Sequence, residues 1–311
     1  MRFVKWLSAI LALVVGLVIG LIYLAPEITL NTVLDLDRQR SGLVRKELNL
    51  NGGLHIVYLE GGQGEELILL HGFGADKDNF TRVALYLTSF YHVIIPDLIG
   101  FGESSHPLGA DYTPAAQAKN LKAMLEALEI HKFNLGGNSM GGHIAMTYAD
   151  LFPTEVLSLW LLDTGGIWNA PQSELSKAIF ETGENPLVAK NEKEFRRLYK
   201  FVMSDPPFVP GPLLDVLARN RQNNYALETE IFPQLTSSSA ENLATGLKMP
   251  TLIVWGEEDR AIHVGTAEVL HNLMPQSEVV IMKGVGHLPM LERPRQTAED
   301  YLKFQKKSAS N

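Results

Sequence analysis

The chain has 311 residues, 46% of them apolar, a net charge of -8 and no cysteine. That length and apolar share suffice for one α/β core with added segments, and an acidic balance without a basic cluster argues against nucleic acid as a partner. The absence of cysteine excludes disulfides, thiolate metal sites and a thiol nucleophile; no His-Glu-x-x-His helix or Gly-x-x-x-x-Gly-Lys loop occurs, so neither a metal nor a nucleotide cofactor is implied.

From Trp6 to Ala25 the sequence carries no charge, a run of about the length that crosses roughly 30 Å of hydrocarbon as a helix. It is longer than the apolar part of a signal peptide, and Tyr23, Leu24 and Ala25 fit a cleavage site poorly. Residues 1–25 therefore read as an uncleaved signal anchor, with a cleaved signal peptide or a buried helix as alternatives. Arg2 and Lys5 precede the run and Glu27 follows it, which predicts a cytoplasmic N-terminus and the remainder of the chain on the periplasmic or extracellular side. Residues 26–42 read as a juxtamembrane linker or short helix.

The alternation in LVRKELNLNGGLHIVYLEGG, centred on Gly52-Gly53, predicts an antiparallel hairpin. Strand-like runs then recur before His71, Asp97, Gly137, Asp163, Asp259 and Lys283, separated by helical stretches such as AAQAKNLKAMLEALEI. This predicts an α/β fold, a mostly parallel sheet with helices on both faces and ligands at the carboxyl ends of its strands. Residues 43–166 and 249–311 read as the two parts of that core.

After EELILL, the loop His71-Gly72-Phe73-Gly74 is placed to offer the backbone N–H of Phe73 to an oxyanion, with His71 bracing it. The next informative stretch, HKFNLGGNSMGGHIAM, sets Ser139 in a Gly-x-Ser-x-Gly turn between an apolar strand and a helix that groups Ile144, Ala145, Tyr148 and Leu151 on one face. Such a turn strains the serine backbone, exposes its hydroxyl at a helix start, and leaves the N–H of Met140 as the other oxyanion donor.

More than eighty residues separate Asp163 from Thr251 without a clear strand, yet SELSKAIFET, EKEFRRLYKFV and PLLDVLARNRQNNYAL have helical patterns. A structureless loop of that size is improbable in a compact unit, so 167–248 reads as a helical cap over the sheet. Phe180, Phe195, Tyr199, Phe201, Phe208, Tyr225 and Phe232 give it aromatic surface, either packing it onto the core or lining an acyl pocket.

A serine nucleophile needs a base and an acid, ordered after it in this kind of turn. TLIVWGEEDR is a strand ending in acids, and Asp259 is the candidate acid, with Glu257, Glu258 and Asp163 as alternatives. EVVIMKGVGHLPM is a strand followed by a glycine turn and His287, the only one of nine histidines so placed. His143 and the remaining histidines read as packing or surface groups.

From about Leu43 to Phe304 the chain resembles the α/β-hydrolase superfamily, through HGFG at 71–74, PDLIGFGES at 96–104, GNSMGG at 137–142, WGEED at 255–259 and GVGH at 284–287 in that order. GNSMGG and GHLPMLERPRQTAEDYL make it most similar to membrane-anchored monoacylglycerol lipases and related bacterial lipases and esterases. Asp97 and Ser104 correspond to a structural turn of the superfamily. The resemblance implies a serine hydrolase of lipid or other small carboxylic esters, without cofactor or metal, reached by lipid through a mobile cap. Two alternatives are a carbon–carbon bond hydrolase of the meta-cleavage type, which shares GNSMGG but carries a longer oxyanion loop and an aromatic residue where this chain has Leu288, and a non-catalytic scaffold on the same fold.

Overall fold

A computed structural model describes residues 2–310, with side chains from Trp6 onward except those of Leu7 and Ala9. The strands are β1 (Leu43–Asn49), β2 (His55–Gly62), β3 (Glu65–Leu70), β4 (Tyr91–Pro96), β5 (Phe133–Asn138), β6 (Val156–Leu162), β7 (Thr251–Gly256) and β8 (Glu278–Met282). They form one sheet in the order β1-β2-β4-β3-β5-β6-β7-β8. β1 and β2 make the expected hairpin, β2 pairs antiparallel with β4, and from β4 across to β8 every pairing is parallel.

Two helices precede the sheet, α1 (Arg2–Leu24) and α2 (Pro26–Arg40). Helices α3 (Thr81–Ala84), α4 (Pro114–Ala127) and α5 (Met140–Leu151) follow β3, β4 and β5. Between β6 and β7 lie α6 (Glu174–Thr182), α7 (Glu192–Phe201), α8 (Gly211–Asn223), α9 (Tyr225–Leu235) and α10 (Glu241–Gly246), where the spacing predicts a helical insertion. α11 (Thr266–Leu273), α12 (Pro289–Glu292) and α13 (Pro294–Ser308) complete the chain.

The runs LILL and TLIVWG are unbroken apolar stretches because both faces of the sheet are covered. Alternate side chains serve opposite cores. Ile68 and Leu70 pack with Met124, Ile144 and Leu270 of α4, α5 and α11. Leu67 and Leu69 pack with Val83, Trp160 and Tyr301, towards α3 and α13, where Trp160 stacks on Tyr301 at 4.3 Å. α5 is central and buried almost all round from Met140 to Ala149, so it needs no single apolar face; Leu151, expected to share the buried face, lies at its end and is 42% exposed.

α2 is more firmly placed than a linker. Its Leu30 is buried against Leu213 and Val216 of α8, and Arg38 clamps Asp78 with bonds of 2.7 and 2.6 Å. An apolar stripe of Leu30 and Leu34 and a fork-shaped cation opposite a carboxylate are enough to dock a helix whose composition is mostly polar. α1 exposes apolar side chains on all sides, with Leu13 74% and Leu17 63% exposed. Among the described residues no single helix is long and apolar enough to cross a membrane; Ile10–Leu24 and Pro26–Arg40, bent by 115°, reach that measure together by length and composition. The Arg2 and Lys5 side chains, on which the expected orientation rests, lie outside the described residues.

Candidate active site

The serine turn has the strain its sequence predicts. β5 ends at Asn138, Ser139 adopts φ 54 and ψ -115, and α5 starts at Met140. A β-carbon on Gly137 would lie 2.3 Å from the Gly141 backbone, and one on Gly141 would lie 2.1 Å from the Leu70 carbonyl oxygen, so both positions exclude side chains. The turn is pinned from outside: the Ser139 N–H donates to Leu162 O at 3.0 Å, and the Ser139 carbonyl accepts from Gly142, His143 and Gly165. A strained residue persists when its surroundings over-determine it in this way.

Met140 occupies the first position of α5, where helix geometry gives the N–H no intrahelical acceptor. The His71–Gly74 loop lies beside it; a β-carbon on Gly72 would sit 3.3 Å from that of Ser139. His71 is fully buried, with Nε2 accepting from the Leu98 N–H at 3.0 Å and Nδ1 bonded to Gly72 O at 2.8 Å. The first bond requires a lone pair on Nε2, so Nδ1 carries the hydrogen and the ring is neutral, as burial also favours. His71 thus holds the loop and does not act as a base. Phe73 packs edge-on against Phe101 and against Phe232 of the insertion, at 5.9 and 5.3 Å.

Asp259 and His287 meet as their strand ends predict: His287 Nδ1 donates to Asp259 Oδ2 at 2.8 Å, and both side chains are buried. The Asp259 Oδ1 accepts the N–H groups of Ala261 and Ile262 at 2.8 and 3.0 Å, fixing the carboxylate. This leaves Nε2 as the free face of the imidazole, the arrangement in which a histidine can take a proton from a hydroxyl. Of the other acids in that turn, Glu257 is exposed and Glu258 bonds the Ser204 hydroxyl. Asp163 is fully buried and belongs to the same cluster: its carboxyl, that of Asp259 and the His287 ring lie within 4.8 Å of one another. Asp163, one of the alternative acids, therefore adjoins Asp259 instead of lying apart from it.

Two supports were not legible in the sequence. Asn138, the residue before the serine, donates through Nδ2 to Leu162 O at 3.1 Å and to His287 O at 3.0 Å, tying the serine turn to the histidine loop. Glu292 accepts from Gly286 at 3.0 Å and from Ser204 and Asp205 at 2.8 Å, joining the histidine loop to the insertion. The His287 N–H itself donates to Val202 O at 2.9 Å, at the end of α7. His143 is a packing residue, 3% exposed beside Trp168, and burial pulls it down to about 4. Asp97 accepts from Lys77 and Glu103 and anchors Ser104, the structural turn the sequence suggests.

The insertion supplies apolar wall. Leu175, Leu187, Val202 and Met203 form a cluster that Phe73, Phe232, Ile262 and Leu288 join, so side chains next to His287, Asp259 and the His71–Gly74 loop share one apolar surface with the inserted helices. Of the aromatic residues in the insertion, Phe195 is buried in packing, whereas Phe180 and Phe208 are 85% and 91% exposed.

Arg221 of α8 ties the insertion to the His71–Gly74 loop. It lies 5.8 Å over the Phe73 ring, donates to Leu187 O at 2.6 Å and pairs with Glu228 at 3.1 Å. Burial pushes the Glu228 carboxyl up to about 7 against the pull of Arg221. A raised carboxyl keeps its proton in the fold but not in the unfolded chain, so its stability contribution falls as pH rises from 4.5 to about 7. Arg221→Met removes the partner and extends that fall: we expect a loss of roughly 3–5 kcal/mol on the alkaline side of the window and a smaller one at acid pH, where Glu228 protonates. Denaturant titrations at several pH values check this, and a loss independent of pH would contradict it.

The chain is similar to known proteins over most of its length. The family described as alpha/beta hydrolase fold matches residues 66–294. Lipase 3 of Moraxella sp. (strain TA144) is 43% identical over 284 residues, which cover 89% of each chain. Monoacylglycerol lipase ABHD6 of Mus musculus is 27% identical over 256 residues, covering 78% of this chain and 76% of its own. The solved structure of a membrane phospholipase A, described as a bacterial virulence factor, superposes with a TM-score of 0.90 at 39% identity and covers 100% of this chain and 99% of its own.

Proposed function

Since the chain belongs to the α/β-hydrolase fold family and is a carboxylic ester hydrolase, we propose that it is a serine lipase whose substrates are lipid esters presented at a membrane. The observation that carries the catalytic part is the buried 2.8 Å bond from His287 to Asp259, with His287 O tied at 3.0 Å to Asn138, the neighbour of a serine held at φ 54 at a helix start. Ser139 Oγ attacks the ester carbonyl as His287 Nε2 takes its proton. The N–H groups of Met140 and Phe73 receive the tetrahedral oxyanion. His287 then protonates the leaving alcohol, and water activated by the same nitrogen releases the acid from the acyl-enzyme.

The lipid half rests on the relatives named lipase, monoacylglycerol lipase and phospholipase A, and on the apolar surface shared by the cap and the site. Residues 167–248 act as the cap, which moves to admit substrate. The carbon–carbon hydrolase alternative is not favoured, because Leu288 follows the base and the oxyanion loop is short. Rates on p-nitrophenyl esters of increasing chain length, on monoacylglycerol and triacylglycerol, on a glycerophospholipid and on a dienol-ketone test the substrate class. We expect turnover of the lipid esters and none of the dienol-ketone; the reverse pattern would overturn the reading.

Trp6 to Ala25 is proposed as an uncleaved anchor, with the N-terminus cytoplasmic and the rest outside. It is supported by a helix that exposes apolar side chains on all sides. The full-length protein is expected to stay with membranes through alkaline washing and to keep the mass of its N-terminus. A form beginning near Glu27 should bind membranes less and keep its rate on short soluble esters. A mature, soluble protein starting after Ala25 would show a cleaved signal peptide instead.

A further inference from the structure

We propose that Asp163 is a positioning residue of this centre: a neutral carboxylic acid that donates its proton in a hydrogen bond to the Asp259 carboxylate, so that two buried acids beside the imidazole carry one negative charge. The inference rests on the reading of Asp259 and His287 given above and adds a fourth member to it.

The backbone sets the meeting. β6 and β7 are parallel neighbours, with Leu162 opposite Val254. The Asp163 N–H continues that ladder by donating to Val254 O at 2.9 Å, and its Oδ1 accepts from the Gly256 N–H at 2.9 Å. The side chain therefore crosses from the end of one strand to the turn that carries Asp259. Asp163 takes φ 44, one of three non-glycine residues with positive φ among those described, and Ser139 is another. Two strained residues thus flank the site, each held by its neighbours.

Two carboxylates this close in a dry site do not both ionise. Counting donors decides which one keeps the proton. Asp259 receives three N–H groups, from Ala261, Ile262 and the His287 ring, and every one needs a lone pair. Asp163 receives one, from Gly256, and its Oδ2 is buried with no donor facing it among the described residues. An oxygen so placed is satisfied when it carries the hydrogen itself and gives it to the neighbouring carboxylate. The charged groups that bear on it point the same way: burial and the nearby Asp259 hold the Asp163 carboxyl well above the usual aspartate range, with the more distant Glu292 carboxylate adding to the effect. His287, the third group of the cluster, already has its Nδ1 proton bonded to Asp259.

The arrangement has a use in catalysis. When His287 becomes an imidazolium, Asp259 is the group that stabilises it, and a donor behind Asp259 fixes the carboxylate without cancelling its charge. An ionised Asp163 would instead put a second negative charge beside the base.

Three measurements on the full-length protein test this. The infrared difference spectrum between wild type and Asp163→Asn at neutral pH should contain one carboxylic-acid C=O band, sensitive to deuterium oxide, that the variant lacks; no such band would overturn the proposal. The amide keeps the acceptor for Gly256 and a donor for Asp259 but cannot ionise. Wild type should therefore lose stability relative to Asp163→Asn as pH rises above the ordinary 3.8, because the unfolded chain releases a proton that the fold retains. A wild-type Tm that holds constant or rises relative to that of Asp163→Asn as pH increases would contradict the proposal. Asp163→Leu should lower kcat by about tenfold or more with KM little changed, and Asp163→Asn should restore most of it; equal kcat in both variants would overturn the positioning role. The first two readouts need no turnover, so they decide the matter even if the leucine variant fails to fold or the triad reading fails.

Discussion

Ser139→Ala is expected to lower ester turnover by roughly a millionfold while leaving the fold and its Tm almost unchanged. The loss is that large because nucleophile, base and acid act as one unit, and removing the nucleophile leaves only what binding and the oxyanion donors contribute. The fold should survive because the turn is held by backbone groups: Leu162 O on one side, and the N–H groups of Gly142, His143 and Gly165 on the other. Among the described residues no side-chain hydrogen bond of the turn depends on the hydroxyl; that of Asn138 goes to Leu162 O and His287 O. Steady-state rates on a short soluble ester, with circular dichroism and thermal melts alongside, check both halves; a variant retaining a tenth of the wild-type rate would remove Ser139 from the role.

Asp259→Asn should cost about four orders of magnitude in turnover, again with little loss of fold. The carboxylate accepts the Nδ1 hydrogen of His287, which leaves Nε2 with the lone pair that takes the serine proton. An amide can present its NH2 to Nδ1 instead, and the ring then carries its hydrogen on Nε2, the wrong tautomer for a base. Its amide oxygen can still accept from Ala261 and Ile262, so the turn itself is preserved. Glu257→Gln and Glu258→Gln should change turnover far less. The informative companion is Asp163→Asn, expected within about threefold of wild type. If it proves the crippling change and Asp259→Asn the mild one, the acid has been assigned to the wrong strand end.

The parts of the site that the sequence made legible are those written in local patterns. Gly137 and Gly141 specify a turn around Ser139 by excluding side chains, and unbroken apolar runs before His71 and Asp259 announce strands covered on both faces, whereas the run before Lys283 forms an edge strand whose Val279 and Ile281 are exposed. His287 follows a glycine turn after the last of them. What stayed hidden depends on distances between strand ends. Asp163 follows β6 as plainly as Asp259 follows β7, but only the register of the two strands brings their carboxyl groups together. Asn138 and Glu292 are ordinary polar residues until the fold puts backbone groups from distant segments around them. Residues 26–40 look like a linker because two leucines and one arginine contribute little to composition, yet they suffice to dock α2 on α8 and Asp78. Leu151 follows the helical spacing of its neighbours but falls past the covered part of α5.

The most direct test of the account is covalent capture of its nucleophile. The wild-type protein would be treated with a fluorophosphonate, which phosphonylates an activated serine with loss of fluoride, while ester hydrolysis is followed and the digested protein is mapped by mass spectrometry. The account expects one phosphonyl group per chain, on the peptide containing Ser139, with hydrolysis disappearing in proportion to labelling. Complete inactivation with the adduct on another residue, or full labelling of Ser139 with hydrolysis intact, would contradict it.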